Sequence, residues 1–203
     1  MKRAIILLVT IAFIPFLGFA QTTESFDYIS PFNDGLAAVK KDNQWAFING
    51  KGDIVIDFRN DLVTTKTTDG EYPVFKSDRC IIIKKENEIS YFGYINTSGK
   101  TVIKPVFLNA TNFLNNVAIV LKLNKEKAGY NNVLGKNVIY YNYLEVIINA
   151  NGEIKDILTK PTNVVLRKEK LKIPPKITSK FLSSKLVSVK NKKGSWTLKK
   201  IQK

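Results

Sequence analysis

The side chains able to carry chemistry are few and scattered. The chain has 203 residues, no histidine and one cysteine, Cys80. That removes Ser-His-Asp and Cys-His catalysis, histidine-based zinc sites and histidine pH switching. One cysteine builds neither a zinc nor an iron–sulfur site. No phosphate-cradling loop or dinucleotide glycine pattern is present; the glycines fall in hairpin turns. No Asp-x-Asp-x-Asp run suggests calcium. The 17 Asp and Glu residues allow by inventory a carboxylate pair for glycoside hydrolysis. They are dispersed, however, and mostly sit in turns such as Asp34, Asp42 and Asp53, where capping or solvation accounts for them. No catalytic residue, cofactor or metal ligand is expected.

Binding is better supplied. Tyr140, Tyr141 and Tyr143, with Trp45, Phe92 and Tyr94, offer the ring types of a platform for sugars or peptides. The alternative is core packing between stacked units, and Trp45, Phe47 and Tyr94 are read as core. For the tyrosines both readings stand. Strand alternation places Tyr141 and Tyr143 on one face and Tyr140 on the other. Near the end of the sequence Lys190, Lys192 and Lys193 precede Trp196, a basic turn beside an aromatic ring. These residues and the tyrosines are the candidate binding surface.

Charge is unevenly placed. Residues 21–159 carry 16 basic and 16 acidic residues, whereas residues 160–203 carry 14 basic residues and one acid, Glu169. The basic segment has three readings. It is a solvated surface, or it docks on an anionic envelope polymer or on lipid headgroups, or it binds nucleic acid. The last is least favoured, because no recognition motif accompanies the charge and export removes the chain from most nucleic acid. Export is expected from the opening residues. Met1-Lys2-Arg3 is a short basic start, Ala4 to Ala20 is apolar, and Gly18-Phe19-Ala20 ends in small residues where a signal peptidase reads. The pattern predicts a signal peptide over residues 1–20, cleaved between Ala20 and Gln21. An uncleaved anchor is the alternative, disfavoured by Pro15 and the short run. No cysteine follows the cleavage site to carry lipid, and a lone Cys80 forms no internal disulfide. The mature chain is thus periplasmic, outer-surface or secreted, and its own core must hold it together. With 12 Phe, 8 Tyr and 2 Trp it has the means.

The elements that position these residues repeat. Phe26–Val39 matches Phe107–Val120, Phe75–Ile82 matches Phe32–Val39, and Trp45–Ile56 matches Phe92–Ile103, each without gaps. The turn recurs at Ile148–Gly152, and Phe181–Val189 followed by Trp196 is a faint fourth start. Each unit reads as short strand, polar turn, strand, Asn/Gly turn, strand, with Gly52, Gly99 and Gly152 supplying positive φ. Three short antiparallel strands bury no face alone, so neighbouring units must stack. Ala37 and Ala118 stand where Cys80 stands, so that position takes a small buried residue and the thiol is structural. Asp57–Tyr72, with an Asp69-Gly70 turn, and Asn124–Lys136 read as insertions. Val138–Ile148 reads as the longest strand. Beyond Pro161, Asn163–Ile173, Ser184–Val189 and Ser195–Leu198 are further strand candidates.

The repeat resembles the WG-repeat (KWG-repeat) family. Phe32, Asp34, Gly35, Leu36, Ala37 and Val39 fit its opening. Trp45, Phe47, Ile48, Asn49, Gly52, Val55 and Ile56 fit its second half. Gly93, Tyr94, Ile95, Asn96, Gly99, Val102, Ile103, Pro105 and Phe107 fit in the next unit. The signature pair is Trp45-Ala46, then Phe92-Gly93, then Glu145-Val146, so no intact Trp-Gly survives. The resemblance covers about residues 26–158. It implies a β-rich array that serves as an interaction module, commonly in bacterial envelope or secreted proteins, and it transfers no catalytic residue.

The expected fold class is therefore all-β: tandem three-stranded meander repeats stacked into an array. It comprises a signal peptide at 1–20, a repeat domain at 21–159 and a basic segment at 160–203 that is ordered β. The expected function is an exported, non-catalytic binding module of the cell envelope, with an envelope protein or glycan as partner. The alternative is a small envelope hydrolase acting through a carboxylate pair.

Overall fold

A computed structural model of the chain describes residues 25–132, 135–191 and 193–201; the expected signal peptide and Lys192 lie outside the described residues. The first unit is β1 (Tyr28–Ile29), β2 (Ala37–Lys41), β3 (Gln44–Ile48) and β4 (Ile54–Arg59), an antiparallel sheet in chain order. Of the expected Asp57–Tyr72 insertion, Asp57–Arg59 finish β4, Asp61 and Val63 bond to Ile83 and Ile81 of the next unit, and the rest closes as a hairpin of β5 (Thr65–Thr67) and β6 (Gly70–Tyr72). The second unit is β7 (Cys80–Glu86), β8 (Ile89–Ile95) and β9 (Thr101–Ala110), and the third is β10 (Val117–Asn131), β11 (Lys136–Asn149) and β12 (Ile154–Ile157). Because β9 also pairs β10, these two units form one sheet, to which β13 (Thr162–Val164) adds beside β11. A one-turn helix, α1 (Lys168–Leu171), precedes a last three-stranded sheet of β14 (Lys180–Ser183), β15 (Leu186–Lys190) and β16 (Trp196–Lys200). The fold is all-β, as the alternation and turn spacing predict.

The Asn/Gly turn explains the repeat in atoms. Asn49 Oδ1 accepts from the amides of Lys51 and Asp53 at 2.9 and 3.1 Å. The Gly52 amide donates to Asn49 O, and Gly52 has φ +88°. The same bonds recur at Asn96, Asn149 and Asn191. An asparagine side chain that holds two amides ahead of it, followed by a glycine free to adopt positive φ, closes each loop without further help. The fourth example, Asn191–Gly194, lies inside the basic segment.

Units stack through equivalent positions. Phe75 packs edge-on against Phe47 at 4.7 Å, and Phe113 packs against Tyr94 at 4.8 Å. Phe181, at the start of the last sheet, joins the cluster around Ile147, which occupies the place of Phe47 and Tyr94. The Asn96 turn rests on Ile56 and the Asn149 turn on Ile103, so close that a Cβ on Gly99 or Gly152 would lie 3.3 or 3.2 Å from those side chains. Asp156 holds the next such position and instead takes Lys199 Nζ at 2.7 Å. The small-residue position is fully buried in all three units, at Ala37, Cys80 and Ala118, and burial pushes the Cys80 thiol up to about 12. Along β10, Ala118 and Val120 face the second unit while Ile119 faces the last sheet. Both faces of the central sheet are covered there, hence the continuous apolar runs of β10 and β11.

Two local expectations change. Asn163–Ile173 is not one strand: β13 ends at Val164 and the chain turns into α1. Lys168-Glu169-Lys170-Leu171 are good helix formers, and one turn suffices to bury Leu171 against Ile89, Leu108 and Leu121. Asn124–Lys136 is not a loop-like insertion between units. It extends β10 and β11 into a ribbon, Glu126 opposite Tyr140, with the register shifting between Lys127 and Gly129.

Candidate anion-binding cleft

The third unit departs from the repeat at Glu145, where the first two units carry Trp45 and Phe92. Glu145 is buried, at 5% exposure. Its Oε1 accepts from the Thr178 amide at 2.7 Å and the Thr178 hydroxyl at 2.8 Å, and its Oε2 accepts from the Ser179 amide at 2.9 Å. A buried carboxylate is tolerable only with such partners. The Thr159 hydroxyl accepts from the Glu145 amide at 2.9 Å. One acidic side chain thus clamps residues 178–179 onto β11 and fixes where the last sheet begins. Below the clamp, Ile119 and Ile147 meet Val187 and Val189. The last sheet shares a core with the third unit.

At the mouth of this junction lies a cleft of about 590 Å³. Lys160 and Lys176 approach from the connecting segments, and Lys190 and Lys193 from β15 and the Asn191 turn. Thr159, Thr162, Thr178 and Thr197 add hydroxyls, while Tyr143, Leu158 and Val189 supply the apolar floor. Glu145 is the one acid in the lining, and both of its oxygens are already engaged by the clamp. Among the described residues the four lysines take part in no ion pair. The Lys190 ammonium turns away to the Trp196 ring; those of Lys160, Lys176 and Lys193, around a concave, partly apolar wall, focus a positive field on whatever enters. Lysine donors, hydroxyls and a phenol ring suit a carboxylate, sulfate or phosphate carried on a ring-containing ligand.

The candidate residues divide. Tyr143, Lys190 and Lys193 meet in the cleft. Tyr141 pairs with Val164 on the β13 side. Tyr140 stands out on the exposed ribbon, its hydroxyl donating to Glu126, whose other oxygen accepts from Asn142 at 2.6 Å. The bond to Glu126 raises the Tyr140 phenol above its ordinary range, and the bonds from Tyr140 and Asn142 hold the Glu126 carboxyl below its own. Trp196 lies across from Lys190 on the far side of the last sheet, with the ammonium 5.5 Å from the ring. Lys40 stands over Trp45 in the same way, across β2 and β3, at 5.8 Å. The core readings of Phe47 and Tyr94 match their burial, and Trp45 is half-buried against the core that holds Phe47. Among the described residues no three acidic or cysteine side chains converge as metal ligands would. Sequence reasoning missed Lys160, Lys176 and the four threonines. Their only signal was Glu145, an acid in an aromatic's place.

The repeat geometry has a counterpart among known families. The family model described as WG containing repeat matches residues 25–45 and 92–125. These two stretches carry WG repeats. The first match runs from β1 into Trp45. The second runs from Phe92, the aromatic of the second signature pair, into β10. No curated protein and no solved structure matches the chain significantly. In this chain an aromatic of one unit packs against the unit before it and an Asn/Gly turn seats on an isoleucine.

Proposed function

We propose that this WG-repeat chain is an exported, non-catalytic binding module of the cell envelope, and that its lysine cleft receives an acidic glycan. The observation that carries the reading is a cleft floored by Tyr143 and lined by Lys160, Lys176 and Lys193, which take part in no ion pair among the described residues. A ring stacked on Tyr143 with its acid group among the lysines would use both parts of the wall. The export part rests on the Met1–Ala20 pattern and is tested by whether the mature N-terminus is Gln21 in a fractionated host.

The hydrolase alternative needs two carboxylates facing each other across a substrate. Glu145, the buried acid, is committed to the clamp, so nothing in the cleft favours that alternative. Binding is tested by titrating a soluble polyuronate and a neutral glucan against the full chain at low and moderate salt. The polyuronate should bind, and more weakly as salt rises. Lys160→Gln with Lys176→Gln should weaken it at least tenfold while the thermal midpoint holds. Equal binding of the neutral polymer, or an unaffected double variant, would sink the cleft reading; release of reducing ends would favour the hydrolase. Point substitution is the right tool, because truncation after Thr159 would uncover Ile119 and Ile147.

A further inference from the structure

The last sheet has a second face. In β15, Val187 and Val189 point to the core, and Lys199 of β16 and Ile201 just beyond it follow them, Lys199 to Asp156. The alternate residues point away from the protein. Cross-strand register groups them: Lys180 pairs with Ser188 and Ser188 with Leu198, while Lys190 pairs with Trp196 and Leu186 with Lys200. Directly opposed residues in an antiparallel sheet share a face. On this face Trp196 is 51% exposed and Leu198 68% exposed, and Leu182 beside them is 56% exposed. Lys180, Lys190 and Lys200 stand among them, and no acid does. A Trp and two Leu in water are an unusual cost for a short edge sheet.

We propose that this outward face docks on an anionic lipid surface. An indole prefers the boundary between headgroups and acyl chains. Leucines beside it would enter the same boundary. Long lysine side chains lay their stems on apolar surface and keep the ammonium at the phosphates. The charge decides the occupant. A second copy presenting the same face would bring two sets of lysines together with no acid between them. An anionic bilayer supplies the missing countercharge, and each lysine near it contributes about a fivefold gain in partition. The face is distinct from the cleft. Lys190 alone is common to both, so the two readings stand or fall separately.

The test uses the full chain carrying Trp45→Phe, a tolerated ring because Phe92 fills that place in the second unit. Trp196 then reports alone. Vesicles containing phosphatidylglycerol in phosphatidylcholine should shift its emission to the blue and co-sediment the protein at low salt. Pure phosphatidylcholine should do neither. Leu198→Gln should weaken co-sedimentation roughly tenfold, Lys180→Gln with Lys200→Gln about twenty-fivefold, and Lys176→Gln in the cleft should leave it unchanged. Equal behaviour on both vesicle types, sedimentation unchanged by the face variants, or a concentration-dependent dimer abolished by Leu198→Gln would each overturn the proposal.

Discussion

Replacing Gly93 by alanine tests the account of the signature pair. Gly93 lies in β8 between Phe92, opposite Phe107, and Tyr94, opposite Ile103. Three residues of β9, Lys104 to Val106, are therefore crowded into the space of one, and their backbone is thrown against Gly93. A Cβ there would lie 2.6 Å from Pro105 N and 2.8 Å from Lys104 C, with Ile103 O closer still. These are backbone atoms of a paired strand and cannot rotate away. Overpacking of a well-filled site costs about 1–3 kcal/mol and occasionally more, and three such contacts put this one near the top, about 3 kcal/mol. For a chain of this size each kcal/mol lowers Tm by about 2–4 °C, so Gly93→Ala should melt about 6–12 °C early. Urea unfolding should show a lower midpoint with an unchanged slope. Gly50→Ala is the control: nothing lies within 4 Å of its Cβ and its φ is not positive, so it should stay within about 0.5 kcal/mol of the parent. Should Gly93→Ala behave like the control, the crowding by β9 is not what selects glycine. In the first unit only Asp57 and Phe58 lie opposite the interval between Trp45 and Phe47, and Ala46 is buried there completely; one residue fewer leaves room for its methyl group.

Other outcomes follow from the same geometry. Glu145→Ala leaves the amides of Thr178 and Ser179 without an acceptor and should cost about 2–4 kcal/mol in urea unfolding, with Glu145→Gln costing less. Tyr140 should ionise above the ordinary tyrosine range in an ultraviolet titration, and Glu126→Gln should bring it down. Because its folded value is raised, any stabilisation from that phenol is present below the ordinary tyrosine range and lost as pH rises through the folded value. The Glu126 carboxyl runs the other way: its depressed value makes its contribution full above the ordinary carboxylate range and lost as pH falls through the folded value. Native Cys80 should resist a thiol reagent until the chain unfolds, since the buried thiol ionises only at about 12. Its neutral form favours folding below the ordinary thiol range and ceases to as pH approaches 12. Cys80→Ala should be mild, as Ala37 and Ala118 already serve in that position.

Much of the architecture was readable because it is local and repeated. An asparagine reaching two amides ahead and a glycine with positive φ act within five residues, so the turns can be found by eye. Alternation separated Tyr140 from Tyr141 and Tyr143 for the same reason. The α1 turn escaped because Val164, Val165, Leu166, Leu171 and Ile173 are strand-compatible apolar residues, and the need to bury Leu171 beside Leu108 and Leu121 decided otherwise. The β10–β11 ribbon escaped because Lys125-Glu126-Lys127 has loop-like composition. Pairing with Ile139, Tyr140 and Tyr141 holds it in strand form.

The sequence by itself determined the repeat, its turns, its small buried positions and the gathering of positive charge after residue 160. Each depends on side-chain type and short spacing, which a linear chain displays. Only the tertiary structure decided that Lys160, Lys176, Lys190 and Lys193 surround one cleft, and that Trp196 and Leu198 share an outward face with Lys180 and Lys200. Those groupings depend on a buried carboxylate at Glu145 gripping residues more than thirty positions away. Its meaning appears only when the partner amides are in place.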